Sequence, residues 1–241
     1  MSSIIAQCIY CTEENNKLDI VKECLNSLAD TVDLSKHTHY IINNSQYRPA
    51  IDFLNDWYTK HPCVLFHNER NLGTAGGINL ALTRRLTGQV CIKTDDDLTW
   101  GQSGWVEELA DAISERPEIG ILGLKRDDVY GKFVEEGKLL WSHDIFGTCT
   151  AYNPAMLDKV GYLFSPGVYG FDDCYISVRS EAAGFRNAFL PHIKITNLDL
   201  VSTPYTDWKK KEAGEFLSEA AIYMGMVRKG ELSYYYSPFG C

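Results

Sequence analysis

Along the first 125 residues, short apolar runs alternate with apolar residues at helical spacing, and this alternation restricts the fold more than any other feature. IIAQCIYC (4–11), HYIINN (39–44), CVLFHN (63–68), QVCIKT (89–94) and EIGILGL (118–124) read as strands. Between them, Leu18, Val21, Leu25 and Leu28 share one helical face, and Ile51, Leu54, Trp57 and Tyr58 mark a second helix. NLGTAGG opens a third that runs to Leu82, and a fourth spans Trp105 to Ile113, stopping before Pro117. Such a succession predicts an α/β fold of Rossmann-like kind, with a mainly parallel central sheet flanked by helices. Sheets of that kind bind ligands beyond the C-terminal ends of their strands. Three polar clusters fall at those ends: Asn43-Asn44-Ser45, NLGTAGG and Asp95-Asp96-Asp97.

Past residue 125 the pattern changes. Residues 129–152 hold short strand candidates, including DIFGTCTAY. FDDCYISVRSEAAG (171–184) reads as a helix with an acidic first turn and a glycine stop, FRNAFLPHIKITNL as strands, and Trp208 to Lys229 as a helical tail. A chain of 241 residues with 45% hydrophobic side chains can fill one core, so a single domain is expected. Within it the sequence divides into residues 1–125, 126–205 and 206–241.

With 23 basic and 32 acidic side chains, the net charge of −9 argues against a nucleic-acid binder. It suits a protein that meets an anionic ligand through a metal or through backbone amides. No apolar run approaches the roughly 20 residues of a membrane span. The N-terminus turns polar early and lacks a basic start, so a cytoplasmic protein is expected. The eight cysteines fall mostly in strand-like runs, where free cysteine acts as a small hydrophobe. Cys8-x-x-Cys11 has no second half and reads as part of a strand rather than a zinc or redox motif.

The acidic triplet carries the chemistry. Adjacent like charges cost stability unless a cation sits among them. In extended chain Asp95 and Asp97 point to one side, about 7 Å apart, and Asp96 to the other. Once the chain turns, two such carboxylates can converge on Mg²⁺ or Mn²⁺, which take oxygen ligands and are commonly completed by substrate phosphates. A solvated acidic turn is the plain alternative. Gly73, Gly76 and Gly77 give a tight turn into a helix, whose bare N-terminal amides accept a phosphate. Asp172 and Asp173 open another helix. Asp172 suits the N-cap, which leaves Asp173 to accept a proton, with Tyr169 and Phe171 partly desolvating it.

IIAQCIYCTEEN, IINNSQ, NLGTAGGINLAL, TDDDL and GFDDCYISVRSEAAGF resemble, in order and spacing, the GT-A glycosyltransferases, especially the inverting enzymes of family 2. The likeness covers roughly residues 3–195. The triplet matches the family's DXD motif and GFDD its Glu-Asp motif, with Asp172 in place of the usual Glu. Asn43 stands where the family has an Asp that helps read the base. The resemblance implies a GT-A fold and a metal-dependent, inverting transfer of a sugar from a nucleoside-diphosphate sugar, such as a UDP-sugar, to a glycan or other hydroxyl-bearing acceptor. It implies Thr12 and Glu13 near the nucleotide, Asn43, Asn44 and Ser45 near the base, and Asn71, Gly73 and Gly76 shaping the nucleotide pocket. Asp95 is implied near ribose or metal, and Asp97 as metal ligand, with Asp96 the alternative register. His192 is implied as a further ligand of Mn²⁺ or Mg²⁺, and Asp173 as general base. Trp141 and His143 border the acceptor stretch.

Two other readings share these residues. QVCIKTDDDLT also satisfies the Asp-x-Asp-x-Thr of haloacid dehalogenase-type phosphatases, with Asp95 as nucleophile, although that motif normally opens its chain. A non-catalytic nucleotide-sugar- or carbohydrate-binding protein is the other, and in it Asp173→Asn would leave the function intact. The run Lys209-Lys210-Lys211 reads as a solvated helix start.

Overall fold

A computed structural model describes residues 2–199 and 204–239. In chain order the strands are β1 (Ile4–Ile9), β2 (Thr38–Asn43), β3 (Val64–His67), β4 (Cys91–Thr94), β5 (Leu98–Trp100), β6 (Ile119–Leu124), β7 (Val134–Glu136), β8 (Leu139–Ser142), β9 (Cys149–Tyr152), β10 (Arg186–Leu190) and β11 (Ile195–Asn197). The helices are α1 (Leu18–Thr31), α2 (Arg48–Lys60), α3 (Gly73–Leu82), α4 (Trp105–Glu115), α5 (Pro154–Val160), α6 (Asp172–Ala182), α7 (Pro204–Glu215) and α8 (Leu217–Arg228).

Nine strands form one sheet in the order β3-β2-β1-β4-β9-β6-β10-β8-β7, and β5 pairs with β11 beside it. In the large sheet β8 and β9 run against the other strands, which makes it mainly parallel as the alternation predicts. Side chains alternate across it with period two. Ile5 and Ile92 pack under α1 and α4, while Ile4, Ala6 and Cys91 pack under α3, α5 and α6. A third cluster, Ile9, Ile41, Val21, Leu25, Leu54 and Trp57, seats α1 and α2.

Strand β9 decides where the site forms. It lies antiparallel between β4 and β6, so the end of β4 meets the start of β9. The amide of Asp95 donates to Thr148 O at 2.8 Å. Segments some fifty residues apart are thereby joined at one sheet edge.

Several expected boundaries move. The first strand ends at Ile9 rather than residue 11, because site side chains take the next amides: Tyr10 N donates to Asp96 Oδ2 (3.2 Å) and Cys11 N to Ser45 Oγ (2.5 Å). Helix α5, not anticipated, has Asn153 as N-cap, its side chain accepting from Ala155 N, and Pro154 as first residue. The helical tail is two helices, broken at Phe216. Phe171, not Asp172, takes the N-cap position of α6, with φ of 64°, and Asp172 is the first helical residue. The end of the tail packs down: Tyr162 N donates to Tyr236 O (2.9 Å), and Phe239 meets the Tyr162 ring edge-on. Gly240 and Cys241 lie outside the described residues. The seven cysteines from Cys8 to Cys174 are free.

Candidate active site

Two adjoining clefts open over the C-terminal ends of β1, β2 and β4. The narrower is lined by Tyr10, Lys17, Asn44, Asn71, Gly73 and the acidic triplet, among others. The wider, about 540 Å³, includes Lys93, Arg126, Phe146, Gly147, Asp172 and Asp173. Asp95, Asp97, Thr74, Tyr169 and Lys209 line both, so Asp95 and Asp97 form the shared floor, with Asp96 on the narrow side only.

The repulsion within the triplet is relieved by two buried lysines. Lys17 Nζ lies 2.8 Å from Asp96 Oδ1, 3.2 Å from Asp97 Oδ2 and 3.8 Å from Asp199 Oδ2, with its side chain 4% exposed. Lys93 Nζ lies 3.3 Å from Asp95 Oδ1 and 3.6 Å from Asp172 Oδ2, with its side chain 5% exposed. Burial pulls the Lys93 ammonium down, but Asp95 and Asp172 overcome it and hold Lys93 well above the usual lysine value. Burial pushes Asp95 up to about 7 against the pull of Lys93, with Asp97 and Asp96 adding to the rise. Asp172 is likewise raised by burial, opposed by Lys93.

Each carboxylate has its own surroundings. Asp96 is held on both oxygens, by Lys17 and by the Tyr10 amide. Asp97 Oδ2 accepts from Lys17 Nζ, while Oδ1 is buried with no hydrogen-bond partner. Asp173 Oδ2 accepts from Gly147 N at 2.9 Å. A methyl on Gly147 would come within 2.9 Å of Lys93 Nζ and 3.0 Å of Asp173 Cβ, so a larger residue there displaces one or both of them. Gly73, at φ of 71°, sits in left-handed backbone against Val168 O, and its amide donates to Asn71 Oδ1 (2.8 Å). Asn44 Nδ2 donates to Gly73 O (3.2 Å) and ties the end of β2 to the start of α3.

Other expected site residues lie elsewhere. Asn43 is fully buried, its amide engaged by Ser45 and His67 Nδ1 (2.9 Å). Ser45 caps Cys11 N. Asn43, Ser45 and Gly76 line neither cleft, and Thr12 joins an exchange of hydrogen bonds with Asn15 beside exposed Glu13. His192 bonds Glu108 Oε1 on α4 (2.5 Å) and lines neither cleft. Trp141 is core, with the Arg186 guanidinium 3.5 Å over its ring, and His143 pairs with Glu181 (2.6 Å). Neither reaches the clefts. Lys209 does, contrary to a solvated helix start: it stands 5.3 Å over the Tyr169 ring and 3.7 Å from Asp199 Oδ2.

The glycosyl transferase family 2 profile matches residues 11–161, more than half of the chain. The chain belongs to glycosyl transferase family 2. It is a glycosyltransferase, and the phosphatase reading of Asp95 falls with that assignment. No curated protein matches this glycosyltransferase by sequence. Among solved structures it is similar to a mannosyltransferase, PcManGT from Pyrobaculum calidifontis, in complex with GDP-Man and Mn²⁺. That match has TM-score 0.70 and 16% identity, over 97% of this chain and 70% of that one. It is also similar to GalNAc-T7 with UDP, GalNAc and Mn²⁺ (TM-score 0.65, 15% identity, 82% of this chain and 44% of that one). A third is S. aureus TarS 1-349 with UDP-GlcNAc (TM-score 0.62, 16% identity, 92% and 66%). At these identities the likeness is one of fold, and the chain spans less than half of the GalNAc-T7 chain. No helix among the described residues is long and apolar enough to cross a membrane.

Sequence reasoning missed Lys17, Tyr10, Lys93, Arg126 and Trp208. Lys93 left a trace: a lysine inside a strand buried on both faces needs an anionic partner. Lys17 left a fainter one, since a cation at a helix start opposes the helix dipole. Trp208 and Lys209 arrive from the far end of the chain, and no local pattern announces them.

Proposed function

We propose that this glycosyltransferase moves a sugar from a nucleoside-diphosphate sugar to an acceptor hydroxyl in a single inverting displacement. The observation that carries the reading is the shared floor: the narrow cleft and the wide cleft meet at Asp95 and Asp97, with Asp173 on the wide side only. The bound ligands of the three structural relatives, GDP-Man, UDP with GalNAc, and UDP-GlcNAc, support a nucleotide-sugar donor. In this reading residues 1–125 bind the donor, 126–205 the acceptor, and the C-terminal helices close the site through Trp208 and Lys209.

The donor diphosphate lies across the triplet toward the N-terminus of α3, where Gly73 and Thr74 start a ten-residue helix. Asp173, steadied by the Gly147 amide, takes the proton of the acceptor hydroxyl. As that oxygen bonds to the anomeric carbon from the face opposite the diphosphate, the bond to the diphosphate oxygen breaks and its electron pair leaves with the diphosphate. Asp172, against Lys93, keeps that lysine charged beside the base.

The residues fit a divalent ion completed by substrate. Among the described residues no three His, Cys, Asp or Glu side chains form a protein-only metal cage. Asp97 Oδ1, buried and unpartnered, is the oxygen a cation would satisfy. Bound there, Mn²⁺ or Mg²⁺ would stabilise the negative charge of the diphosphate. His192, engaged with Glu108, is left out of the ligand set.

The test is release of nucleoside diphosphate from a panel of nucleotide sugars and acceptors. Asp173→Asn is expected to lower kcat by at least about a hundredfold while leaving donor affinity within a few-fold. Undiminished turnover by that variant would remove Asp173 from the role of base.

A further inference from the structure

Lys17 has no task in the transfer reaction just described, yet its ammonium stands on the carboxylates that would attract a metal. Asp96 is committed on both oxygens, and Asp97 Oδ2 accepts from the same ammonium, so of these four oxygens Asp97 Oδ1 alone has no hydrogen-bond partner. A divalent ion arriving at Oδ1 therefore meets a carboxylate already partly neutralised, with a fixed positive charge behind it. Nor does the position serve the helix, because Lys17 is the N-cap residue of α1, where a cation opposes the dipole.

We propose that Lys17 is a positioning residue that makes metal binding depend on the donor. Its ammonium holds Asp96 and Asp97 neutral enough that the nucleotide-free protein binds a divalent cation weakly. The ion is retained once a diphosphate adds negative charge on its other side. This rests on the nucleotide-sugar reading above. A lysine that merely pinned α1 to the triplet would affect stability and leave the metal affinity of nucleotide-free protein unchanged.

The experiment titrates Mn²⁺ into the full chain and reads free Mn²⁺ by electron paramagnetic resonance, with and without UDP or GDP. Wild-type protein is expected to bind Mn²⁺ weakly alone and more tightly with nucleotide. Without nucleotide, Lys17→Met is expected to bind Mn²⁺ at least about tenfold more tightly than wild type, since a nearby unit charge has been removed. Lys17→Arg, which keeps the charge, is expected to match wild type. Unchanged affinity in a folded Lys17→Met overturns the proposal, and Lys17→Gln repeats the comparison if the methionine variant does not fold. Tight, nucleotide-independent Mn²⁺ binding by wild-type protein overturns it with no variant at all. Weak wild-type Mn²⁺ binding that neither UDP nor GDP strengthens counts instead against the donor reading.

Discussion

Replacing Lys93 with methionine probes the electrostatics under the site most sharply. The methionine keeps the length of the stem and removes the charge. In the wild type Lys93 Nζ sits 3.3 Å from Asp95 Oδ1 and 3.6 Å from Asp172 Oδ2, and Asp172 keeps 9% of its side-chain exposure. Removing one partner of a buried ion pair typically costs about 3–5 kcal/mol, because the remaining charge is left uncompensated. Asp95 is 34% exposed and shares its charge with water, so the cost falls mainly on Asp172 and belongs at the lower end, about 3 kcal/mol. The pH dependence has a definite sign. Without the ammonium, both carboxyls, already raised by burial, rise further and protonate more readily on acidification. The difference between wild type and variant is therefore larger at pH 8 than at pH 5. Urea denaturation at the two pH values measures it, and Lys93→Met with Asp172→Asn is expected to recover about half of the loss. A loss under about 1 kcal/mol at pH 8, or one that grows on acidification, would refute the assignment of Lys93 as the counter-charge.

Two further outcomes follow from other parts of the structure. Gly147→Ala forces a methyl against Lys93 Nζ and Asp173 Cβ, so kcat is expected to fall at least about tenfold with less than about 2 kcal/mol lost in denaturation; steady-state kinetics beside a urea curve check the split. His39 is buried with neither ring nitrogen hydrogen-bonded, and burial, with His61 adding to it, lowers its pKa to about 3. Its folded pKa lies below its unfolded value of 6.5, so the neutral ring's contribution is complete above pH 6.5 and is lost as pH falls toward 3. Wild type is expected to lose about 2 kcal/mol between pH 7 and pH 5 through this residue, and His39→Phe to show that much less of a decline in denaturant titrations.

The parallel half of the sheet was legible because its strands are apolar runs bounded by turns, α1, α2 and α4 carry a clear 3.6-residue stripe, and α3 is announced by its glycine-rich start. The triplet and the Asp172–Asp173 pair stood out in the sequence as charge concentrated at a strand end and at a helix start, and the structure brings Asp95, Asp97, Asp172 and Asp173 to one cleft. What could not be read was the pairing. Lys17 lies some eighty residues before the carboxylates it neutralises, and the link exists only because α1 starts beside the end of β4. The insertion of β9 between β4 and β6 joins Gly147 to the triplet, and no local pattern in CTAY distinguishes an antiparallel central strand from an edge one. Asn43 and His192 show how partners escape a sequence reading. Their residue types suited a ligand, but the amide is engaged by Ser45 and His67, and the imidazole by Glu108.

The central claim is that Asp97, at the junction of the two clefts, joins a divalent cation to the donor diphosphate. Calorimetric titration of UDP and GDP into wild type and Asp97→Asn, each with Mn²⁺ and with chelator, addresses it directly. At least one nucleotide is expected to bind wild type in Mn²⁺, with that binding lost both in chelator and in the variant. Equal nucleotide affinity in wild type and Asp97→Asn, with or without the metal, would contradict it.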